Sequence, residues 1–325
     1  MIQTGATNSF VRGIEHLNAS HKPSVVSIGN FDGLHLGHRH VIKTLLNKSR
    51  ELDLPSTVVT FEPLAKEFFS PNSVERLTSI EERAHLLFEL GVDQVLCVNF
   101  DAEFAARSPE SFVQDVLIDG LGVRYLSVGD DFRFGKNRTG DFALLQKLGD
   151  EHSFLVRAHD TFELDNLRVS SGRVRTALKE GDFTLAERLL GRAYSIQGEV
   201  SRGQQMGRTL NFPTANILLS EVLLAVSGVY AVTVELGGIG GIGGTDGEQF
   251  KGVANVGTRP TVDGTEKRLE VYIFDFDRDI YGEQMRVTFK HKVRDEQKFS
   301  SLEELKKQIA IDSESARDFF AQIAL

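Results

Sequence analysis

Cysteine is almost missing from this 325-residue chain. The single Cys97 excludes an intramolecular disulfide framework and fits a reducing, cytoplasmic setting. Long apolar runs are missing as well, and none approaches the roughly 20 residues that a membrane helix needs. The N-terminus, Met1-Ile2-Gln3-Thr4-Gly5, has neither the basic nor the apolar stretch of a signal peptide. Positive charge is in deficit: 37 basic residues face 46 acidic ones, a net charge of -9. With no basic tract, that balance argues against a nucleic-acid partner. It does not exclude a small polyanion, because backbone amides and a few Arg or Lys can outweigh the overall charge locally. Gly237–Gly247 is the one low-complexity stretch. It lacks a Lys-Ser/Thr ending and a following helix, so it reads as a hairpin loop rather than a phosphate-binding loop.

What is present is a globular composition, 41% hydrophobic and 26% charged, at a length that suits two domains. The first part alternates strand and helix signals. Val25–Ile28, Ser56–Phe61, Gln94–Val98 and Tyr125–Gly129 read as short buried strands. Residues 38–51 and 80–90 read as helices, and Ser108-Pro109 opens another with a cap and a first-turn proline. Buried strands separated by helices predict an α/β domain, a parallel sheet covered on both faces. Ligands in such sheets sit at the carboxyl ends of strands, where the Gly29, Thr60 and Gly129 turns fall. After about residue 186 the texture changes. Tyr194–Val200, Gly228–Leu236, Lys251–Val256, Leu269–Phe276 and Met285–His291 predict an antiparallel β-barrel. Residues 301–323 predict a closing amphipathic helix with Leu302, Leu305, Ile309, Ala316, Phe319, Phe320 and Ile323 on its apolar side, interrupted at Asp312-Ser313. The expected domains are 1–186 and 187–325.

The richest stretch is Gly29-Asn30-Phe31-Asp32-Gly33-Leu34-His35-Leu36-Gly37-His38. It runs strand, glycine-punctuated turn, helix, an order that offers free backbone N–H groups and a helix dipole to one phosphate. His35 and His38 share a face of the first helical turn. Alone, the pair also fits two surface histidines, and a zinc site would need further ligands that the spacing does not offer. Two companions follow: Gly129-Asp130-Asp131-Phe132-Arg133-Phe134-Gly135, and Arg168-Val169-Ser170-Ser171-Gly172-Arg173 ahead of another helix.

With these motifs in this order the chain resembles the bifunctional prokaryotic riboflavin kinase/FMN adenylyltransferase family, over nearly its whole length. The resemblance implies an N-terminal Rossmann-like nucleotidyltransferase domain joining FMN to the AMP part of ATP with release of pyrophosphate. It implies that His35 and His38 contact ATP phosphates, that Asn30, Phe31 and Gly33 shape the turn, and that these three with Gly29 and Thr60 bind ATP or FMN. Asp131 then helps hold nucleotide, while Arg168, Ser170 and Ser171 form the loop that steers pyrophosphate. Adenylyl transfer is an in-line attack that needs charge stabilisation more than a nucleophile, and Mg²⁺ would share that charge. Two departures stand out: Leu64-Ala65 after Thr60-Phe61-Glu62-Pro63, and Gly172 where the family has threonine.

The second half carries Gly198-Glu199-Val200-Ser201-Arg202-Gly203-Gln204-Gln205-Met206-Gly207-Arg208-Thr209-Leu210-Asn211-Phe212-Pro213-Thr214-Ala215-Asn216. From the residues this is either an ordinary glycine-containing hairpin or a phosphate loop beside hard oxygen ligands for Mg²⁺. The resemblance favours the second: Gly203, Gly207, Arg208 and Pro213 at ATP and flavin, and Thr214 and Asn216 positioning Mg²⁺-ATP. Asn211 replaces the family's glycine, a swap that a left-handed backbone tolerates. A lone Glu on a strand is usually solvent-facing, yet Glu270 matches the family's catalytic base for the ribityl 5′-hydroxyl. Arg294 and Phe299 match a loop near flavin. The expected substrates are riboflavin, FMN, FAD and ATP, with no metal cluster, no membrane and no nucleic acid, and the oligomeric state open. The rival readings are a nucleotidyltransferase whose barrel only binds flavin, and a flavin-storage protein without turnover.

Overall fold

The computed structural model describes residues 8–70, 74–129, 131–202, 212–219, 223–237, 247–261 and 264–323. Two compact units emerge: Met1–Val74 with Thr78–Ser170, and Glu75–Leu77 with Ser171–Leu325.

The first unit runs β1 (Ser9–Arg12), β2 (Ser24–Ile28), α1 (Leu36–Leu52), β3 (Ser56–Glu62) and α2 (Ala65–Phe69). The next strand, β4 (Glu75–Arg76), belongs to the second unit. The first then continues with α3 (Ile80–Glu89), β5 (Gln94–Asn99), α4 (Ala102–Ala105), α5 (Pro109–Phe112), β6 (Val123–Val128), α6 (Phe142–His152), β7 (Leu155–Ala158), β8 (Glu163–Leu164) and β9 (Leu167–Arg168). The six-stranded sheet has the order β1-β5-β3-β2-β6-β7, with every pair parallel. Strand alternation sends neighbouring residues to opposite faces. Val25, Val58, Val95 and Tyr125 pack with α1 and α3 on one side. Val26, Val59, Leu96 and Leu126 pack against α5, its continuation Val113–Gly120 and α6 on the other. Both faces are therefore covered, which is why these strands read as continuous apolar runs. The chain steps from β2 outward to β3 and β5, then returns to place β6 on the other side of β2. That reversal opens the crevice where α/β sheets take ligands, beyond the ends of β2 and β6.

The second unit holds α7 (Ser171–Glu180), α8 (Phe183–Leu190), β10 (Ser195–Ser201), β11 (Ala215–Leu219), β12 (Leu223–Leu224), β13 (Gly228–Leu236), β14 (Glu248–Thr261), β15 (Gly264–Ile273), β16 (Gln284–Arg294) and α9 (Leu302–Gln322). Six strands close a barrel in the order β10-β11-β15-β14-β13-β16, all antiparallel. Phe183 of α8 packs its ring on Tyr230 and Phe289 of the barrel. The Tyr230 hydroxyl donates to the Ser227 carbonyl, and burial pushes its pKa up to about 12. On the outer wall, Val229, Ala231 and Val253 pack against Ala316 and Phe320 of α9. α9 runs unbroken through Asp312-Ser313, contrary to the expected interruption. Both residues lie on the buried face, whereas Leu302 and Ile323, expected on the apolar side, are exposed. The reason is ionic, since Asp312 meets Arg294 of β16 as a bidentate pair. β15 ends at Ile273, so Phe274–Phe276, expected within this strand, lie beyond it.

Candidate functional site

In the first unit the turn after β2 is held from below. Phe31, Gly33 and Leu34 all have positive φ, a conformation that costs energy at Phe31 and Leu34 and is stabilised by its surroundings. Gly33 N–H donates to Thr78 Oγ1 at 3.0 Å, and buried Asp32 accepts from Thr78 N–H at 3.1 Å and its hydroxyl at 3.2 Å. Asp32 is thus a brace for the turn. Thr60 is fully buried, its hydroxyl donating to the Asn30 carbonyl and accepting from Arg83 Nη1. These two bonds tie the end of β3 to Asn30 and Arg83. Phe31 is buried too, with its ring 5.2 Å from that of His38.

His35 caps α1. Its Nδ1 accepts the His38 backbone N–H at 3.2 Å, so neutral His35 carries its proton on Nε2. The His35 and His38 rings stack at 3.7 Å and 15°. Burial holds the His38 pKa well below the usual histidine range, helped by nearby His35, Arg83 and His159. Arg83 brings a fixed positive charge to this imidazole in an acidic chain, and positive charge favours a bound polyanion. A Cβ on Gly37 would lie 3.3 Å from the Val169 carbonyl, so the Arg168–Ser170 segment abuts this helix start. Arg168 ends the β8–β9 hairpin, whose two-residue turn, Asp165-Asn166, has positive φ at both positions. The Arg168 guanidinium lies 3.8 Å from Asp131, with both side chains exposed. A Cβ on Gly129 would meet Asp131 Oδ1 at 2.9 Å and His159 Nε2 at 3.6 Å, which brings the loop after β6 to the same place. Ser170 precedes α7 and Ser171 opens it. Leu64, one of the departures, is 2% exposed and belongs to the core rather than to any ligand surface.

Sequence reasoning missed Arg83, His159 and an aromatic cluster. Phe61, Phe68, Phe69, Phe100 and Phe104 form a chain of ring contacts with centroids 5.2–6.0 Å apart at the ends of β3 and β5. Phe69 is 67% exposed, an apolar face offered to solvent at the ligand end of the sheet. The signal was Phe61, Phe68-Phe69, Phe100 and Phe104 each following a strand signal. For His159 the signal was its place just past a strand that went unread, β7.

In the second unit, Asn216 of β11 pairs with Glu270 of β15, and Glu270 pairs with Asn255 of β14. Directly opposed residues share a face, here the outer wall that faces α9. A cavity between this wall and the helix is lined by Thr214, Asn255, Glu270, Tyr272, Arg294, Phe299, Leu305 and Asp312, among others. Thr214, Glu270 and Arg294 therefore come together. Asn216 is 5% exposed and its Nδ2 donates to the Thr214 carbonyl at 3.2 Å, while its Oδ1 accepts no hydrogen bond among the described residues. Thr214 also lines a second cavity of about 520 Å³ with Pro213, Phe276, Arg278 and Tyr281. There Arg278 lies over the rings of Phe276 and Phe250 at 5.1 and 5.7 Å, and Arg202 over Tyr281 at 5.4 Å. The expected loop residues Gly203, Gly207, Arg208 and Asn211 lie outside the described residues, as does most of Gly237–Gly247. Among the described residues, no three His, Cys, Asp or Glu side chains converge as a metal site.

Comparison with known proteins places two family matches on the chain: FAD synthetase over residues 17–173 and riboflavin kinase over 190–320. The bifunctional riboflavin kinase/FMN adenylyltransferase of Escherichia coli K12 is 46% identical over 314 residues, 96% of this chain and 97% of that protein. That of Pseudomonas fluorescens is 45% identical over 316 residues, covering 97% and 99%. A solved structure described as a macrolide-efflux protein from Streptococcus pneumoniae superposes with a TM-score of 0.73 at 29% identity, covering 95% of this chain and 98% of that one. In the present chain, no helix among the described residues is long and apolar enough to cross a membrane.

Proposed function

The chain belongs to the bifunctional riboflavin kinase/FMN adenylyltransferase family, and from that premise we propose how its own residues carry the two reactions. Its kinase half phosphorylates riboflavin to FMN with ATP, and its N-terminal half adenylylates FMN to FAD. We assign the functional boundary to the segment between the two family matches, where the 186/187 division falls. The lone buried cysteine supports a cytoplasmic setting.

For FAD formation, ATP phosphates lie over the start of α1. His35 and His38 contact the phosphate oxygens, and His38 gains a proton as the anion offsets its burial. Arg83 supplies fixed positive charge from beneath, and Arg168, with Ser170 and Ser171, receives the departing pyrophosphate. Asp131 holds nucleotide beside Gly129. The exposed Phe69 and its neighbours offer stacking faces to the isoalloxazine of FMN. The FMN phosphate attacks the α-phosphorus in line, with transition-state charge spread over these donors.

For FMN formation, the cavity beneath α9 takes riboflavin, with Tyr272 and Phe299 as walls. The larger cavity beside Arg278 and Tyr281 takes the nucleotide. Glu270 accepts the proton of the ribityl 5′-hydroxyl as it attacks the γ-phosphoryl group. Asn216 and Thr214 would hold Mg²⁺, which would supply neutralisation of phosphate charge. The donor set suits it: Asn216 Oδ1 and the Thr214 hydroxyl are hard oxygens, and this ion needs few protein ligands because phosphate and water supply the rest. The observation that carries the kinase reading is the row Asn216–Glu270–Asn255 beside Thr214. The test is Glu270→Gln. FMN formation should fall by roughly 10²-fold or more while adenylylation of supplied FMN persists. Retained FMN formation would remove Glu270 from its role.

A further inference from the structure

We propose that Asp312, midway along α9, is a positioning residue that makes the kinase cavity selective for an uncharged flavin. The inference rests on the reading of that cavity as the riboflavin pocket. Asp312 is 3% exposed. It accepts Arg294 Nε–H at 2.9 Å and Nη2–H at 2.7 Å, and Gln308 Nε2–H at 2.9 Å. Arg294 Nη1 donates to the Asp295 carbonyl at 2.9 Å, and the Phe299 ring lies 5.6 Å from the guanidinium carbon. Three of the five guanidinium N–H groups are thus engaged, and two have no partner among the described residues. Arg294 lines the cavity, so those two donors are available to a ligand there.

The electrostatics select the ligand class. A bidentate carboxylate cancels the arginine's charge, so the pair presents N–H donors without net charge. The other ionisable carboxylates lining the cavity are Glu270 and Glu296. Three carboxylates facing one guanidinium repel an anion and tolerate a neutral molecule with a carbonyl edge. Riboflavin is such a molecule, and its phosphorylated product is a dianion. Asp312 therefore orients Arg294 toward the flavin's carbonyl edge and weakens the hold on product. Burying an ion pair is a poor route to stability compared with apolar packing, so stability alone does not account for an aspartate on this helix face beside Ala316 and Phe320.

The test is Asp312→Asn in the full chain, assayed for FMN formation. The riboflavin KM should rise roughly tenfold to a hundredfold, the worth of a charge-assisted hydrogen bond, while kcat and the ATP KM stay near wild type. Inhibition by added FMN should tighten, and Asp312→Glu should recover part of the riboflavin KM. An unchanged riboflavin KM, or a parallel loss in kcat, both KM values and melting temperature, would overturn the proposal. Should the asparagine variant fail to fold, Arg294→Lys keeps the charge and loses the fork, and a normal riboflavin KM there would overturn it equally. Glu270→Gln separates the two layers. Its protein should bind riboflavin, read by flavin fluorescence quenching, without turning it over. If it no longer binds riboflavin, the pocket reading fails; if it binds riboflavin while Asp312→Asn keeps a normal riboflavin KM, only the role of Asp312 fails.

Discussion

Replacing Thr60 with valine removes one oxygen and keeps the branching and volume of the side chain. That oxygen sits between two buried partners, donating to the Asn30 carbonyl over 3.1 Å and accepting from Arg83 over 3.0 Å. Thr60 and Arg83 are fully buried, so water cannot replace either bond. The arginine bond is worth roughly 1.5–3 kcal/mol and the carbonyl bond roughly 1 kcal/mol. The new methyl returns about 0.8 kcal/mol. The expected loss is therefore roughly 2–3 kcal/mol, or about thirtyfold or more in the population of the opened unit. Cys97 provides the assay. It is the chain's only cysteine, it pairs with Thr60 across β3 and β5, and burial pushes its thiol up to about 11. Its reaction with a chromogenic disulfide along a urea series reports opening of the first unit and nothing else. Thr60→Ser keeps both bonds and loses only a methyl, which costs about 1 kcal/mol. A valine variant no more labile than the serine one would refute the account of Thr60 as the tie between strand, turn and arginine. In the same variant FAD formation should drop while FMN formation holds.

Two further outcomes follow from the geometry. The His38 pKa is depressed in the folded chain, so below about pH 6.5 the unfolded chain binds a proton that the folded one refuses. Stability should fall as pH drops from that point toward the depressed value, and His38→Gln should flatten that part of a urea-midpoint profile; an equally steep profile would assign the effect elsewhere. Gly228 has φ +117°, and a Cβ there would lie 2.5 Å from the Arg294 carbonyl. Gly228→Ala should cost about 1–3 kcal/mol and raise the riboflavin KM by displacing Arg294, measured by thermal melting and FMN formation.

The parallel sheet and the barrel were legible because their strands are apolar, short and separated by turn residues. β2, β3, β5 and β6 lie where Val25–Ile28, Ser56–Phe61, Gln94–Val98 and Tyr125–Gly129 predicted them. β1, β7 and β11 were not legible. Arg12 in β1, Arg157 in β7 and Asn216 in β11 break the apolar signature of an inner strand. The β8–β9 hairpin was announced only by Asp165-Asn166, a turn pair easily taken for loop. Asp312 misled for a physical reason. Periodicity treats a carboxylate as solvent-facing, and only the distant Arg294 makes its burial tolerable. The His35–His38 stack was readable as spacing, but Arg83 and His159, which set its charge, come from other elements 45 or more residues away along the sequence.

Thr214 lines both cavities of the second unit. On the proposed assignment, the acceptor hydroxyl and the phosphoryl donor come from opposite sides of a partition that includes Thr214. Neither substrate passes through the other's chamber, so either can arrive first, and the phosphoryl group crosses directly without resting on the protein. The partition also ties two specificities to one position. Any residue larger than threonine there would narrow the flavin chamber and the nucleotide chamber together, so drift in the choice of flavin cannot proceed at this position without a matching change in the grip on ATP.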